Sequence, residues 1–272
     1  MNPLKAIKLA IFKNLLKTVG KLSDGVSLAF SSGMISGISL DYIYRNQPSG
    51  KTFLGRLIDK VYLSNRGWEA IRYRRASLEH YLAEAVTLER QRGERPVMLD
   101  IASGPAAYII DVLSADYGAD TRAVCRDLDP QSLALGRSQA ESRHLSNVVF
   151  AQGDAFDEPS LAEIKPQSNI VVSSGFYDWI RDDGLIRRSM SIIHELLPPG
   201  GYFIFSNQSG HFDLDLVNYI FTDFHGQPLD MVVRPAATVN AWAETAGFNI
   251  VETTSDRLGF YSVTMAQKRC GT

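Results

Sequence analysis

The chain contains 272 residues, of which 45% are hydrophobic and 21% are charged. This length allows one large α/β domain with a smaller appendage, and the apolar fraction is ample for a core. The formal net charge is −2, so no global basic field favours a nucleic acid, and a small-molecule ligand is the better prediction.

The first stretch of the chain has the pattern of a basic amphipathic helix. Residues 4 to 19 place apolar side chains on one helical stripe and interleave four lysines. Three interpretations stay open for this helix: packing on the protein's own core, a surface for a protein partner, and peripheral contact with a membrane. The lysines interrupt the apolar run and no small-residue cleavage site follows, so a secretory signal is not expected.

Helices are predicted for the rest of the first 93 residues. Leu22 to Gly50 is apolar but rich in Ser and Gly, which is typical of short helices with close turns. Thr52 to Val61 and Gly67 to Leu88 have longer helical patterns, and the run QRGERP then marks a boundary near residue 93. We interpret residues 1–93 as a helical lid and residues 94–272 as a sheet domain. The candidates to face a ligand from the lid are Tyr42, Tyr44, Tyr73 and Arg75.

A strand, a tight turn and a helix follow in the sequence VMLDIASGP. Val97 to Leu99 form the strand and Asp100 closes it. The turn consists of the small residues Ala102, Ser103 and Gly104. Gly104 has no Cβ, so its backbone can adopt a positive φ and come close to a ligand. A P-loop needs a Lys-Ser or Lys-Thr pair and a dinucleotide fingerprint needs three spaced glycines, so this turn favours a nucleoside without phosphates.

The next strand also ends at an acidic residue. Asp127 closes it about 23 residues beyond Gly104, where a carboxylate suits the two hydroxyls of a ribose. A helix from Pro130 to Leu145 is then predicted, and a third strand runs into the sequence GDAF, which contains Asp154. Taken alone, Asp154 is explained by a turn that it caps.

The fourth and fifth strands carry aromatic and amide side chains at their ends. Asn169 to Ser174 is followed by Gly175 and the aromatic run FYDW, whose rings can stabilise a cation. Ligands of open α/β sheets lie beyond the carboxyl ends of the central strands, so this run should face one. Asn207 and Gln208 are predicted to follow the fifth strand, Tyr202 to Ser206, and to offer amide donors and acceptors. The remaining predicted elements are helices at residues 185–197, 213–222 and 236–246 and a hairpin of strands at 248–254 and 260–266.

The succession of DxASGP, an acidic strand end and GDAF resembles the class I S-adenosylmethionine (SAM) methyltransferases. The strings SSGFYDW, GGYFIFSNQ and DRLGFYSVTMAQ extend the resemblance to a bacterial group of such proteins that carry a helical N-terminal region. It implies an α/β, Rossmann-like sheet of seven strands in the order 3-2-1-4-5-7-6, the last antiparallel, with an N-terminal all-helical lid. It also implies that SAM binds without a metal and that Asp154 and the amide of Ala155 meet the adenine. The full set assigned to SAM is Asp100, Ala102, Ser103, Gly104, Asp127, Leu128, Asp154, Ala155, Ser174 and Gly175.

The same fold occurs in the SAM cyclases of nonribosomal-peptide pathways, the azetidine-2-carboxylate synthases. In these the α-amine of SAM attacks its own γ-carbon and expels 5′-methylthioadenosine. The resemblance implies cyclisation here, with Tyr177 and Asn207 fixing the amine and carboxylate and Ser206 or Ser174 assisting. The alternatives are a small-molecule methyltransferase that forms S-adenosylhomocysteine, with His211, Asp178 or Tyr177 as a base, and a binding protein without turnover.

The cysteines, the histidines and the lengths of the apolar runs indicate which classes of protein the chain does not resemble. Two cysteines, Cys125 in a predicted strand and Cys270 near the end, give no disulfide framework and favour a reducing cytoplasm. The five histidines show no metal-ligand spacing, so no metal is expected. No stretch reaches the roughly 18 uninterrupted apolar residues of a membrane span, so stable membrane insertion is not expected.

Overall fold

The computed structural model describes residues 3–115, 120–164, 167–211, 217, 219–221 and 231–269. It divides the chain into two compact units. The first comprises Met1–Arg72 and His211–Met231, and the second comprises Tyr73–Gly210 and Val232–Thr272. Each unit is therefore built from two separate stretches of sequence.

Helices make up the N-terminal part of the first unit. They are α1 (Pro3–Thr18), a 3₁₀-helix (Val19–Leu22), α2 (Asp24–Ser31), α3 (Gly37–Arg45) and α4 (Phe53–Leu63), and α5 (Arg66–Gln91) continues into the second unit. Three starts have hydroxyl caps, because the side chains of Ser23, Ser36 and Thr52 accept backbone N–H groups of the first turn. The short, Ser- and Gly-punctuated helices predicted for this region are confirmed.

A fully buried carboxylate, Asp59, joins four segments of the first unit. Its oxygens accept hydrogen bonds from the Ser23 hydroxyl at 2.6 Å, the Gly25 amide at 3.0 Å, the Ser49 amide at 2.9 Å and the Tyr42 hydroxyl. Burial opposes ionisation, yet these hydrogen bonds outweigh it and hold the pKa of Asp59 below its usual value. Asp59 is therefore a structural centre of the helical unit.

The second unit contains the seven-stranded sheet. Its strands are β1 (Val97–Asp100), β2 (Arg122–Asp127), β3 (Val148–Gln152), β4 (Ile170–Ser173), β5 (Tyr202–Gln208), β6 (Phe248–Ser255) and β7 (Tyr261–Lys268). They lie in the order β3-β2-β1-β4-β5-β7-β6. β1 to β5 are parallel, whereas β7 runs antiparallel to both β5 and β6. The strand order and the antiparallel last strand that the resemblance implied are both confirmed.

Helices cover both faces of this sheet. The remaining helices are α6 (Ala107–Ser114), α7 (Pro130–Ser142), α8 (Glu158–Ala162), α9 (Asp183–Leu196) and α10 (Ala236–Thr245). Successive strand residues point to opposite faces, so Met98 packs with α5, α6 and α7 while Leu99 packs with α8, α9 and α10. Burial on both sides explains why the parallel strands read as continuous apolar runs.

Several boundaries differ from those predicted. The prediction that Asn207 and Gln208 follow the fifth strand was wrong, because β5 continues through both residues and pairs them with Ser262 and Tyr261 of β7. Helix α8 and a 3₁₀-helix at Tyr177–Trp179 were not predicted. Most of the helix predicted at 213–222, together with Cys270, lies outside the described residues.

The described residues contain neither a candidate membrane-spanning helix nor a candidate metal cluster. No helix within them is both long and apolar enough to cross a membrane. No group of three or more His, Cys, Asp or Glu side chains within them is arranged to hold a metal ion.

Candidate functional site

The turn after β1 has the backbone geometry that its glycine predicted. Gly104 has a φ of +53°, in the left-handed region. The Ile101 amide donates to Val172 at 3.2 Å and the Ser103 amide donates to the carbonyl of Arg126 at 2.8 Å, so the turn stays tied to the strands on either side of β1. Ala102 and Gly104 of this turn are partly exposed, whereas Ser103 is buried.

The structure brings Gly104 and Asp127 together at the ends of β1 and β2. One carboxylate oxygen of Asp127 accepts the Gly104 amide at 2.7 Å, and the other accepts the Asp129 amide at 2.9 Å. Burial raises the pKa of Asp127, and the two amides oppose that shift. A carboxylate has about four acceptor positions, so this one retains capacity for further donors.

Asp100 lies completely buried beneath the same turn. Its oxygens accept the Tyr108 hydroxyl and, at 3.2 Å, the Ala102 amide. Burial raises the pKa of Asp100 to about 7, although the hydrogen bonds from Tyr108 and Ala102 act against the shift. Near neutral pH this carboxyl group is therefore balanced between its neutral and charged forms.

The two residues assigned to the adenine, Asp154 and Ala155, follow β3, and Leu128, which is assigned to SAM, follows β2. Asp154 is exposed and accepts the Phe156 amide at 2.9 Å, which is the turn role that its sequence position also explained. Ala155 is buried, whereas Leu128 is 58% exposed. The Phe156 ring lies 5.2 Å from that of Phe176, beyond the end of β4. The contacts of Asp154 and Ala155 with an adenine, and of Leu128 with SAM, remain predictions.

The structure also brings Gly175 and Ser206 together. Gly175 follows Ser174, which is partly buried, and has a φ of +68°. The Gly175 amide donates to the hydroxyl oxygen of the fully buried Ser206 at 2.8 Å. The role of Ser206 that the structure shows is thus to hold the chain that leaves β4.

The other two predicted catalytic side chains are used by internal hydrogen bonds. Tyr177 is 1% exposed, its hydroxyl lies 3.0 Å from that of Ser189 on α9, and burial raises its pKa to about 12. Asn207 donates its amide hydrogens to the Arg234 carbonyl at 2.7 Å and the Ser209 hydroxyl at 3.1 Å. A catalytic role for either residue stays a prediction that this geometry does not favour.

A buried ion pair that the sequence reasoning missed lies beside Gly175. Arg74 and Asp178 are each 3% exposed, with Nη1 and Oδ2 3.7 Å apart. The Arg74 guanidinium also lies 4.8 Å from the centre of the Tyr261 ring. A Cβ on Gly175 would lie 3.0 Å from Arg74 Nη1, so glycine there lets the guanidinium approach the backbone.

Asp178 connects this ion pair to β5. Its Oδ1 accepts the Gln208 amide at 2.7 Å. Burial raises the pKa of Asp178 to about 6, and the charges of Arg74 and Arg234 oppose the rise. The side-chain carbonyl oxygen of Gln208 is buried and has no hydrogen-bond partner among the residues that the structure describes. An unfilled acceptor therefore lies at this edge of the sheet.

Arg74 could have been found from the pattern of α5. It falls on the same helical stripe as Leu78, Tyr81 and Leu82, so a charge at that position faces the core. The predicted candidates Tyr73 and Arg75 flank it and point elsewhere. The Tyr73 hydroxyl lies 3.0 Å from Thr254, and Arg75 pairs with Glu79 and Asp111.

A second missed residue, Arg234, fastens the loop after β4. Its guanidinium donates to the carbonyls of Tyr177 at 3.1 Å and Ile180 at 2.5 Å, and to Asp183 at 2.9 Å. No sequence motif signalled it, because the partners are mostly backbone carbonyls remote in sequence. Of the remaining candidates, Tyr42 is bonded to Asp59, and Tyr44 and His211 are half-buried in the first unit.

Comparisons with known proteins agree with this architecture. Residues 1–268 match the sequence profile of a family described as "Putative methyltransferase". The chain is 32% identical over 271 residues to "Uncharacterized protein YnbC" of Escherichia coli K12; the match covers 98% of this chain and 46% of that protein. The chain thus spans about half the length of this curated relative.

Three solved structures share the fold. A possible exported protein from Bordetella parapertussis superposes with a TM-score of 0.67 at 21% identity, covering 87% of this chain and 80% of that one. An O-methyltransferase family protein from Burkholderia thailandensis gives 0.57 at 16% identity, with 93% and 73% covered. Magnesium protoporphyrin IX methyltransferase from Synechocystis PCC 6803, with bound SAH, gives 0.55 at 15% identity, with 87% and 97% covered. The fold is that of the class I SAM methyltransferases, as the sequence predicted.

Proposed function

Because this chain belongs to the "Putative methyltransferase" family, we propose that it binds SAM at the carboxyl edge of its sheet and transfers the methyl group to a small molecule. The observation that carries the proposal is the hydrogen bond from the Gly104 amide to the Asp127 carboxylate at 2.7 Å. It fixes an open glycine turn and an acidic strand end side by side. A nucleoside without phosphates needs this pair, a backbone surface and an acceptor for ribose hydroxyls.

The edge of β4 and β5 offers complementary groups for the methionine part of SAM. The Gln208 carbonyl oxygen is a buried acceptor without a partner in the described chain, and an ammonium group is a suitable donor. Asp100, when ionised, places a negative charge beneath the turn that favours a cation above it. The rings of Phe156 and Phe176 can lie against a sulfonium and exclude water. These features support SAM as the ligand.

We prefer methyl transfer to cyclisation because the two side chains predicted to promote cyclisation form hydrogen bonds inside the protein. Cyclisation requires a site that bends the methionine chain, and Tyr177 and Asn207 were the residues predicted to do so. Both are bonded internally, to Ser189 and to Arg234 and Ser209. Ring closure to azetidine-2-carboxylate stays the second candidate on the strength of the family resemblance alone.

Product analysis tests the proposal. The protein is incubated with SAM carrying a ¹³C-methyl group, alone and with a small-molecule extract of bacterial cells, and the products are identified by mass spectrometry. S-adenosylhomocysteine together with a ¹³C-labelled acceptor supports methyl transfer. Methylthioadenosine and azetidine-2-carboxylate from SAM alone would replace it with cyclisation. No turnover together with no calorimetric binding of S-adenosylhomocysteine contradicts both.

A further inference from the structure

The first unit exposes an unusual number of large apolar side chains. They lie on α1, on the 3₁₀-helix that follows it and on α4: Ile7, Ile11, Phe12, Leu15, Val19, Leu22, Phe53, Leu54, Leu57 and Val61. Phe53 is 80% exposed and Val61 67%. Single exposed apolar residues are ordinary, but ten on neighbouring elements mark an interaction surface.

These residues occupy one side of each helix. On α1, Ile7, Ile11 and Leu15 follow one another at four-residue spacing, while Leu9 on another side is buried. On α4, Leu57 and Val61 repeat the spacing, and the opposite side holds the buried Asp59. The core of the first unit is therefore formed by other faces of these helices, and the exposed apolar side chains are not part of it.

The elements that carry the exposed side chains adjoin one another. A Cβ on Gly55 of α4 would lie 2.1 Å from the carbonyl oxygen of Leu22, so α4 packs directly on the 3₁₀-helix that continues α1. We call the exposed side chains of α1, the 3₁₀-helix and α4 the apolar surface.

Basic side chains surround the apolar surface. Residues 1–72 contain eleven Lys and Arg but four Asp and Glu, and residues 211–231, the other stretch of this unit, add four Asp and no Lys or Arg, so the unit has a formal charge of +3 while the whole chain has −2. Six of the basic residues are exposed on or between the same elements: Lys8, Lys17, Lys21, Lys51, Arg56 and Lys60. Positive charge is thus concentrated where apolar side chains meet solvent.

We propose that the apolar surface docks the protein peripherally on a lipid bilayer whose headgroups are anionic. Aliphatic side chains beside lysines match the boundary between acyl chains and negatively charged headgroups. A second copy of this chain would bring two basic surfaces together, and nucleic acid would leave the aliphatic side chains in water. No helix in the described residues can cross a bilayer, so the contact lies in the plane of the membrane. The inference does not depend on the reaction that the second unit catalyses.

Vesicle flotation of the full chain tests this docking. One set of vesicles is pure phosphatidylcholine and the other also contains phosphatidylglycerol. The expected result is binding to the anionic set at least about tenfold tighter than to the neutral set, weakening as salt is raised because surface charges are screened. Equal binding to both sets, or no binding to the anionic set at low salt, overturns the proposal.

A matched pair of double variants locates the contact. Ile11→Glu with Val61→Glu changes residues that are 64% and 67% exposed, and the control, Val149→Glu with Val251→Glu, changes residues of the sheet unit that are 59% and 48% exposed. Both doubles add the same charge, and circular dichroism checks that each is folded. The first double should lose about tenfold or more in vesicle affinity, and the control should stay within about twofold of the wild type.

Two results would refute either the location of the membrane contact or the proposal that a membrane occupies the apolar surface. One is equal vesicle binding by the two double variants. The other is a wild-type dimer in light scattering that dissociates only in the Ile11→Glu, Val61→Glu double, which would assign the apolar surface to a second copy of the chain.

Discussion

Replacing Asp127 by alanine should weaken binding of S-adenosylhomocysteine without unfolding the protein. The carboxylate has about four acceptor positions, and the amides of Gly104 and Asp129 use two of them. In the proposed binding mode the remaining capacity of the carboxylate accepts the ribose hydroxyls. A hydrogen bond to a charged group contributes about 1.5–3 kcal/mol, and partial exposure of Asp127 favours the lower end. Two such bonds at the lower end total about 3 kcal/mol, which corresponds to roughly 150-fold weaker binding.

Asp129→Ala is the matched control for this experiment. Asp129 lies two residues further on and caps α7, accepting the amides of Gln131 at 3.0 Å and Ser132 at 3.1 Å. Its loss should lower the free energy of unfolding by about 1 kcal/mol but leave ligand affinity within about twofold. Isothermal titration calorimetry measures both affinities, and chemical denaturation shows that both variants are folded.

The comparison has a clear negative outcome. If folded Asp127→Ala binds S-adenosylhomocysteine as the wild type does, the carboxylate does not hold a ribose. If Asp129→Ala loses as much affinity as Asp127→Ala, the effect belongs to disruption of the loop between β2 and α7.

Three further predictions concern pH, backbone strain and the helical region. Burial raises the pKa of Asp100 to about 7, above its unfolded value of about 3.9. Between these two values the folded state keeps a proton that the unfolded state has lost. The free energy of unfolding should therefore fall as the pH rises from about 4 to 7. Asp100→Asn should flatten that slope in urea denaturation at several pH values, and an unchanged slope contradicts the assignment. Gly175→Ala should lower the free energy of unfolding by about 1–3 kcal/mol. The loss should exceed that of Gly259→Ala, because both glycines have a φ of +68° but only at Gly175 would the Cβ meet Arg74. Equal losses would mean that the Arg74 side chain moves aside at no cost in free energy. If residues 1–93 close over a ligand, amide hydrogen exchange around Asp41–Tyr44 should slow when S-adenosylhomocysteine is added, and equal exchange with and without it would count against a lid.

The sheet could be predicted from sequence because local signals and the global arrangement agree. Buried parallel strands read as apolar runs such as Val97–Leu99, and the glycine turn and acidic strand ends recur at the spacing of a known fold. The observed register, with Met98 opposite Ala123 and Ile170, places these three residues on the same face of the sheet. The positive φ of Gly104 and the position of Asp127 beside it could both be expected from the geometry of a glycine turn between parallel strands.

The directions of polar side chains could not be predicted in the same way. Tyr177 and Asn207 were assigned to the ligand because they lie near strand ends, but a residue at an edge can point either outward or into the core. Their partners Ser189 and Arg234 are 12 and 27 positions away in sequence, and nothing in the local pattern indicates these pairings. The strand end itself shifted because antiparallel β7 extends the pairing of β5 to Gln208. The directions of these side chains thus depend on hydrogen-bond partners that are distant in sequence, which local motifs do not reveal.

The division of each unit into two stretches has a consequence for biosynthesis. Partners within the first unit are far apart in the order of translation: Phe30 lies 5.4 Å from Phe221 and the Lys13 ammonium donates to the carbonyl of Tyr219 at 2.7 Å. A ribosome adding roughly 5–20 residues per second makes the N-terminal helices wait about 7–30 s for residues 211–231. During that interval the nascent helices expose the surface at Phe30 and Lys13 that Phe221 and Tyr219 contact in the finished unit. A fragment ending near residue 93 would remain permanently in that state, so expression of the helical region alone is expected to require residues 211–231 supplied in trans or by circular permutation.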